Sequence, residues 1–96
     1  MITSVAMVTA RPGHEGQVAG LLSDYVTQEK KVPGCMRIYH KRAMNNQDTF
    51  LVYAEYDTLE NFQASEKAFD ESRQEGGKIQ FALKPHIVKA FFGNFD

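Results

Sequence analysis

Apolar and polar positions alternate along this chain in short runs, and the runs change period in a regular order. Residues 2 to 9, ITSVAMVT, are rich in β-branched types and are closed off by Arg11-Pro12-Gly13, which predicts a first strand. Its two faces are Ile2, Ser4, Ala6, Val8 and Thr3, Val5, Met7, Thr9, and neither is strongly polar. Past the break, Val18, Leu21, Leu22, Tyr25 and Val26 recur at spacings of three and four, the stripe of an amphipathic helix. The opposite helix face, with Gln17, Asp24, Gln28 and Glu29, reads as solvated; Lys30 and Lys31 suit the negative end of the helix dipole, and Pro33 ends the element.

The stretch from Val32 to Thr58 then predicts an antiparallel hairpin turning at Asn45-Asn46-Gln47-Asp48. Its first strand, about Cys35 to Arg42, alternates Met36, Ile38, His40 with Cys35, Arg37, Tyr39, Lys41. Its second, about Thr49 to Tyr56, alternates Phe50, Val52, Ala54, Tyr56 with Leu51, Tyr53, Glu55. The face carrying Phe50, Val52 and Tyr56 is the more apolar and is expected to face a core. Asp57 or Thr58 is suited to cap a second helix whose inner face is Leu59, Phe62 and Phe69, with Ser65 and Glu66 one turn after Phe62. Gly76-Gly77 should stop it, since each glycine costs about 1 kcal/mol in a helix interior. Lys78 to Leu83 reads as a short turn, and Pro85 opens a last strand, HIVKAFF, apolar on both faces.

The order β-α-β-β-α-β is the ferredoxin-like α+β arrangement, a four-stranded antiparallel sheet with both helices on one face. Two helices cover one face only. A monomer would expose Val5, Met7, Leu51, Tyr53, Ile87 and Phe91, or the alternate set, as one patch, so a homodimer packed sheet against sheet is expected.

Ninety-six residues make one domain, 1–96, large enough to bury roughly two thirds of the unfolded chain's surface. Eleven Lys+Arg against 12 Asp+Glu, with no basic block longer than Lys30-Lys31 or Lys41-Arg42, exclude the footprint of a nucleic-acid or membrane-surface binder. The apolar run Val5 to Val8 is too short for a signal-peptide core or a spanning helix, and a cytoplasmic protein is expected. Cys35 is the single cysteine, so no intrachain disulfide or cysteine-based zinc site can form; it reads as a small apolar filler. His14, His40 and His86 are scattered without metal-ligand spacing, and no metal is expected.

ARPGHEGQV at residues 10–18, PGCMR at 33–37 and FLVYAEYDTLENF at 50–62 stand in an order and spacing that resembles the antibiotic biosynthesis monooxygenase family of dimeric ferredoxin-like α/β-barrel proteins, over nearly the whole chain. The resemblance implies a cavity between the sheet and the helices of each subunit. Some members oxidise polyketide-derived phenols or quinols with O₂ and neither metal nor flavin; others degrade haem or isomerise sugar phosphates. Family membership is therefore a statement about fold before function. The chain departs from the family pattern at three positions: Ala54 falls on the usual glutamate, Tyr56 on the usual tryptophan and Ser65 on the usual helix histidine. With no tryptophan in the chain and no histidine in the second helix, haem degradation is disfavoured.

Cofactor-independent oxygenation needs a base to deprotonate the substrate, so that its anion can reduce O₂, and aromatic walls to orient a planar ring. The candidate base is His40 or His86. Tyr56 and Tyr39 are candidate hydrogen-bonding walls, Phe50, Phe62 and Phe81 candidate lining, and the site is expected around Tyr56, Ser65 and Phe62. Each has a plainer reading: a strand histidine satisfied at a rim, tyrosines favoured in any sheet, and Glu55 paired across strands with Arg37 or Lys41. The leading expectation is a monooxygenase acting on a small aromatic or quinol-like molecule. Its rivals are a non-catalytic dimer that binds or senses a hydrophobic metabolite, and an isomerase on the same scaffold.

Overall fold

The computed structural model describes the backbone of residues 1–76 and 83–94 and the side chains of residues 1–68. Among the described residues the elements run in the order β1 (Ile2–Ala10), α1 (Glu15–Glu29), β2 (Cys35–Arg42), β3 (Thr49–Tyr56), α2 (Leu59–Gly76) and β4 (Leu83–Asn94). The strands form one antiparallel sheet in the order β2-β3-β1-β4, so the hairpin lies on one side of β1 and the last strand on the other. This is the expected α+β, ferredoxin-like topology. Among the described residues no helix is long and apolar enough to cross a membrane.

The ladder places residues in rows across the sheet. On the helix side, Arg42, Phe50 and Val8 form one row; His40, Val52 and Ala6 the next; Ile38, Ala54 and Ser4 a third; Cys35, Tyr56 and Ile2 the last. Val18 and Leu22 of α1 close over Val8, Ala10 and Phe50 at one end. At the other end, Val26 of α1 and Phe62 of α2 close over Ile2, Ile38, Ala54 and Tyr56. Val52 packs against both groups and joins them. Each large side chain sheltered here contributes about 1.5 to 3 kcal/mol.

Several expectations need correction. The alternation assigned to β2 is broken by a bulge: Cys35 pairs with Tyr56 and Arg37 with Glu55, leaving Met36 as the extra residue, 60 % exposed. The bulge turns Cys35 to the helix side, where it packs beside Tyr56 and Ile38. β4 starts at Leu83, two residues before Pro85, because Leu83 pairs with Ala10 after an irregularity in the register beyond Val8. Leu59 is exposed in the first turn of α2, so Phe62 alone of the described residues carries the apolar inner face proposed for that helix. Phe81 and the turn expected near Lys78 lie outside the described residues, as do the side chains of Phe69, His86, Ile87 and Phe91.

The loop between α1 and β2 is anchored to the start of α2. Gly34 has φ +84, its carbonyl accepts from Asp57 N at 2.9 Å, and the Asp57 carboxylate accepts from Asn61 Nδ2 at 2.9 Å. Thr58 is the cap: its Oγ1 accepts from Asn61 N at 3.2 Å. A side chain at position 34 would strike the Asp57 carboxylate and stand 2.8 Å from Asn61 Cβ. Gly13 has the same φ but nothing within 4 Å of an added Cβ. Gly34→Ala should therefore lower stability by about 2 to 3 kcal/mol and Gly13→Ala by about 1 kcal/mol, the cost of the φ alone. Thermal melts of the two variants check this; equal losses would contradict the steric account.

Candidate functional site

The last turn of α1 carries Tyr25, Val26 and Glu29, and the run Val18, Leu22, Val26, Glu29 is spaced by four, four and three. Glu29 therefore continues the buried stripe and does not lie on the solvated face, contrary to the sequence expectation. It is only 7 % exposed. From the end of β3, Tyr56 Oη donates to Glu29 Oε1 at 2.8 Å and stands 3.2 Å from Ser65 Oγ, which α2 supplies one turn after Phe62. Since the Tyr56 proton points to the carboxylate, Ser65 is the donor in the second bond. The Tyr25 hydroxyl lies in the same neighbourhood, near enough for Ser65, Tyr56 and Glu29 to act on its acidity. Three hydroxyls and one carboxyl thus meet among Ile2, Val26, Ile38, Ala54 and Phe62.

The surroundings set the acid-base character. No lysine or arginine among the described residues forms an ion pair with Glu29. Desolvation raises its pKa above the ordinary 4.5, and the Tyr56 hydrogen bond offsets only part of that. Burial also pushes the phenols of Tyr25 and Tyr56 well above the usual tyrosine range, with the Glu29 charge acting in the same direction. Cys35, half-buried beside them, has its thiol raised by burial first and by Glu29 second, the opposite of what a reactive thiolate requires. Among the described residues no three His, Cys, Asp or Glu side chains stand together as a metal site would need.

The other candidate residues are dispersed. Tyr56, Phe62 and Ser65 come together, with the Tyr56 and Phe62 rings 5.5 Å apart and tilted by 58°. His40 pairs with Val52, four residues from Tyr56 along β3, about 13 Å at the rise of a strand. Phe50 lies two residues farther, in the packing around Val8 and Val18, with the Arg42 guanidinium 5.3 Å from its ring centre. Tyr39 stacks on Tyr53 at 5.0 Å on the opposite face of the sheet, so it does not wall the space around Tyr56. The side chain of His86, and all of Phe81, lie outside the described residues. Where the family resemblance places a glutamate, Ala54 packs quietly beside Tyr56, and the carboxyl in this neighbourhood comes from α1.

Folding raises the Glu29 pKa, so the folded protein holds that proton more tightly than the unfolded chain. The associated stability is full below the unfolded value of 4.5 and is lost as the pH rises through the higher folded value. Glu29→Gln keeps the acceptor oxygen and removes the ionisation. It should melt at the same temperature as the parent near pH 4 and at a higher temperature than the parent at pH 8. An offset between the two melting curves that does not change with pH would contradict the assignment.

The model of the antibiotic biosynthesis monooxygenase family matches residues 1–81. No curated protein sequence matches the chain. Solved structures share its fold at low identity. A Nitrosomonas europaea protein carrying the same family name superposes with a TM-score of 0.84 at 13% identity, covering 99% of this chain and 98% of its own. A conserved protein of unknown function from Bacteroides thetaiotaomicron gives 0.82 at 18%, covering 98% and 96%. A variant of SnoaB, a cofactor-independent oxygenase from Streptomyces nogalater, gives 0.79 at 12%, covering 98% and 91%. With the family model spanning most of its length and the topology in agreement, the chain belongs to the antibiotic biosynthesis monooxygenase family.

Proposed function

We propose that this chain works as a cytoplasmic homodimer that oxidises a small phenolic or quinol-like aromatic with O₂, without metal or flavin, on the helix side of the sheet beside Tyr56, Ser65 and Phe62. The observation that carries the reading is the hydrogen-bonded group of Glu29, Tyr56 and Ser65 set in apolar surroundings. A ring slotted beside Phe62 and Tyr56 gains aromatic contacts, and its hydroxyl meets a network that can take up a proton. For a naphthol the balance is simple: naphthol and O₂ give naphthoquinone and water. The substrate O–H is broken first, its anion passes an electron to O₂, a C–O bond forms at the ring, and loss of water leaves the quinone.

The rival is a dimer that only binds such a molecule, favoured by Ser65 at the position where the family pattern has a histidine. Oxygen uptake with 1-naphthol in the presence of a chelator separates the two. Uptake matched by quinone, and reduced about 100-fold or more by Tyr56→Phe, supports the enzyme; saturable binding without uptake supports the sensor.

The dimer is proposed from the open face. Across it, Tyr39, Tyr53 and Val5 form an apolar row, with Phe91 the paired residue on β4; Leu51 and Met7 form a second, bounded in register by Lys41 and Lys89. Met7 is 44 % exposed at the centre of the sheet, which is costly to leave in water. A second copy would cover it by a two-fold contact. Sedimentation should show twice the 10.9 kDa chain mass at micromolar concentration, and Met7→Asp should shift the particle towards the single-chain mass. A single-chain particle for the unaltered protein would refute the pairing.

A further inference from the structure

The buried carboxyl at the end of α1 has a role to be assigned within the activity proposed above, and this inference rests on that reading. Hydroxyl groups connect it to the edge of the cluster. Tyr56 Oη donates to Glu29 Oε1 at 2.8 Å, and Ser65 Oγ lies 3.2 Å from Tyr56 Oη. A ligand in the proposed site beside Tyr56, Ser65 and Phe62 reaches Glu29 through the Tyr56 hydroxyl.

We infer that Glu29 is the terminal acceptor of the substrate's phenolic proton, reached through the hydroxyl of Tyr56, with Ser65 as a side branch. The bond at rest already runs the right way, since Tyr56 donates to Glu29. In the transfer, the ligand O–H breaks and its proton joins Tyr56 Oη as the Tyr56 proton moves to Glu29 Oε1. Tyr56 ends neutral, the carboxylate becomes a carboxylic acid, and the negative charge ends on the ligand oxygen.

The groups facing Glu29 make it the resting place. Tyr25 on its own helix and Tyr56 on β3 are both disfavoured as anions by burial and by the carboxylate itself. Cys35 on β2 is disfavoured for the same two reasons, and Ser65 on α2 does not titrate. None of these can keep a negative charge in exchange for the proton. Glu29 can be neutralised, and burial with no cation beside it among the described residues favours that form.

The test uses 4-nitrophenol, whose anion absorbs at longer wavelength than the neutral phenol, added to the full chain at a pH where the free probe is neutral. The bound probe should be phenolate in the unaltered protein and neutral in Glu29→Gln and in Tyr56→Phe, with affinity changed by less than about tenfold. A probe that is equally ionised in Glu29→Gln, or neutral in the unaltered protein, overturns the relay; should Glu29→Gln fail to fold, Tyr56→Phe decides by the same reading. Oxygen uptake with 1-naphthol is measured beside it across pH. Uptake falling about 100-fold or more in Glu29→Gln, with loss of the acid limb of the profile, supports the relay. Phenolate without any uptake leaves the relay standing and overturns the oxygenase reading. Uptake retained in Glu29→Gln with an unmoved acid limb does the reverse. No probe bound at millimolar concentration overturns both.

Discussion

One phenolic oxygen joins three elements of this fold. Tyr56 Oη, at the end of β3, is bonded to Glu29 on α1 and to Ser65 on α2, so both helices are tied to the sheet at the same point. The bond is also what makes Glu29 tolerable there. A carboxyl withdrawn from water without a partner costs several kcal/mol, and the Tyr56 hydrogen bond offsets part of that cost whether the carboxyl is charged or neutral. With no cation from the described residues to complete the compensation, the remainder appears as a raised proton affinity. The polar cluster is therefore structural in its geometry and poised in its chemistry, and the two follow from the same burial.

The sheet divides its labour by face. On the helix side, the rows from Phe50 to Tyr56 pass from purely apolar packing around Val8 and Val18 to the polar cluster beside Phe62. The opposite side carries Tyr39 stacked on Tyr53, with Val5, Leu51 and Met7 beside them, and charges at its margins, Arg37 near Glu55 in one row and Lys41 in another. Joining two copies through this second face would leave each helix side free to receive a ligand. The proposed assembly and the proposed site thus make no competing demand on the same surface.

Much of the architecture was legible because periodicity reports burial directly. The bounds of β2 and β3 agree with their alternation, and β1 and α1 lie where their periods place them. Two features were not legible, each for a physical reason. A β-bulge adds a residue without changing composition, so nothing in CMRIYHKR marks Met36 as the extra one, and Cys35 was assigned to the wrong face. Glu29 was assigned to water because it is charged, although its spacing from Val26 and Leu22 placed it in phase with the buried stripe. Phase was the available signal, and charge masked it. Tyr56, Phe62 and Ser65 come together as the sequence suggested, whereas His40 and Phe50 lie along the strand from them and Tyr39 lies behind it. Choosing a base by residue type favoured histidine; the acceptor inferred above is a carboxyl that composition alone would have left on the surface.

The claim on which the rest depends is that Glu29 holds its proton more tightly than an ordinary glutamate because of where the fold puts it. It is tested most directly by a carbon-13 NMR titration of the glutamate side-chain carboxyls, with the Glu29 resonance assigned by its loss in Glu29→Gln. The account predicts one carboxyl that titrates clearly above 4.5 and is absent from that variant. A Glu29 resonance that titrates at or below 4.5, with the solvent-exposed glutamates, would contradict it.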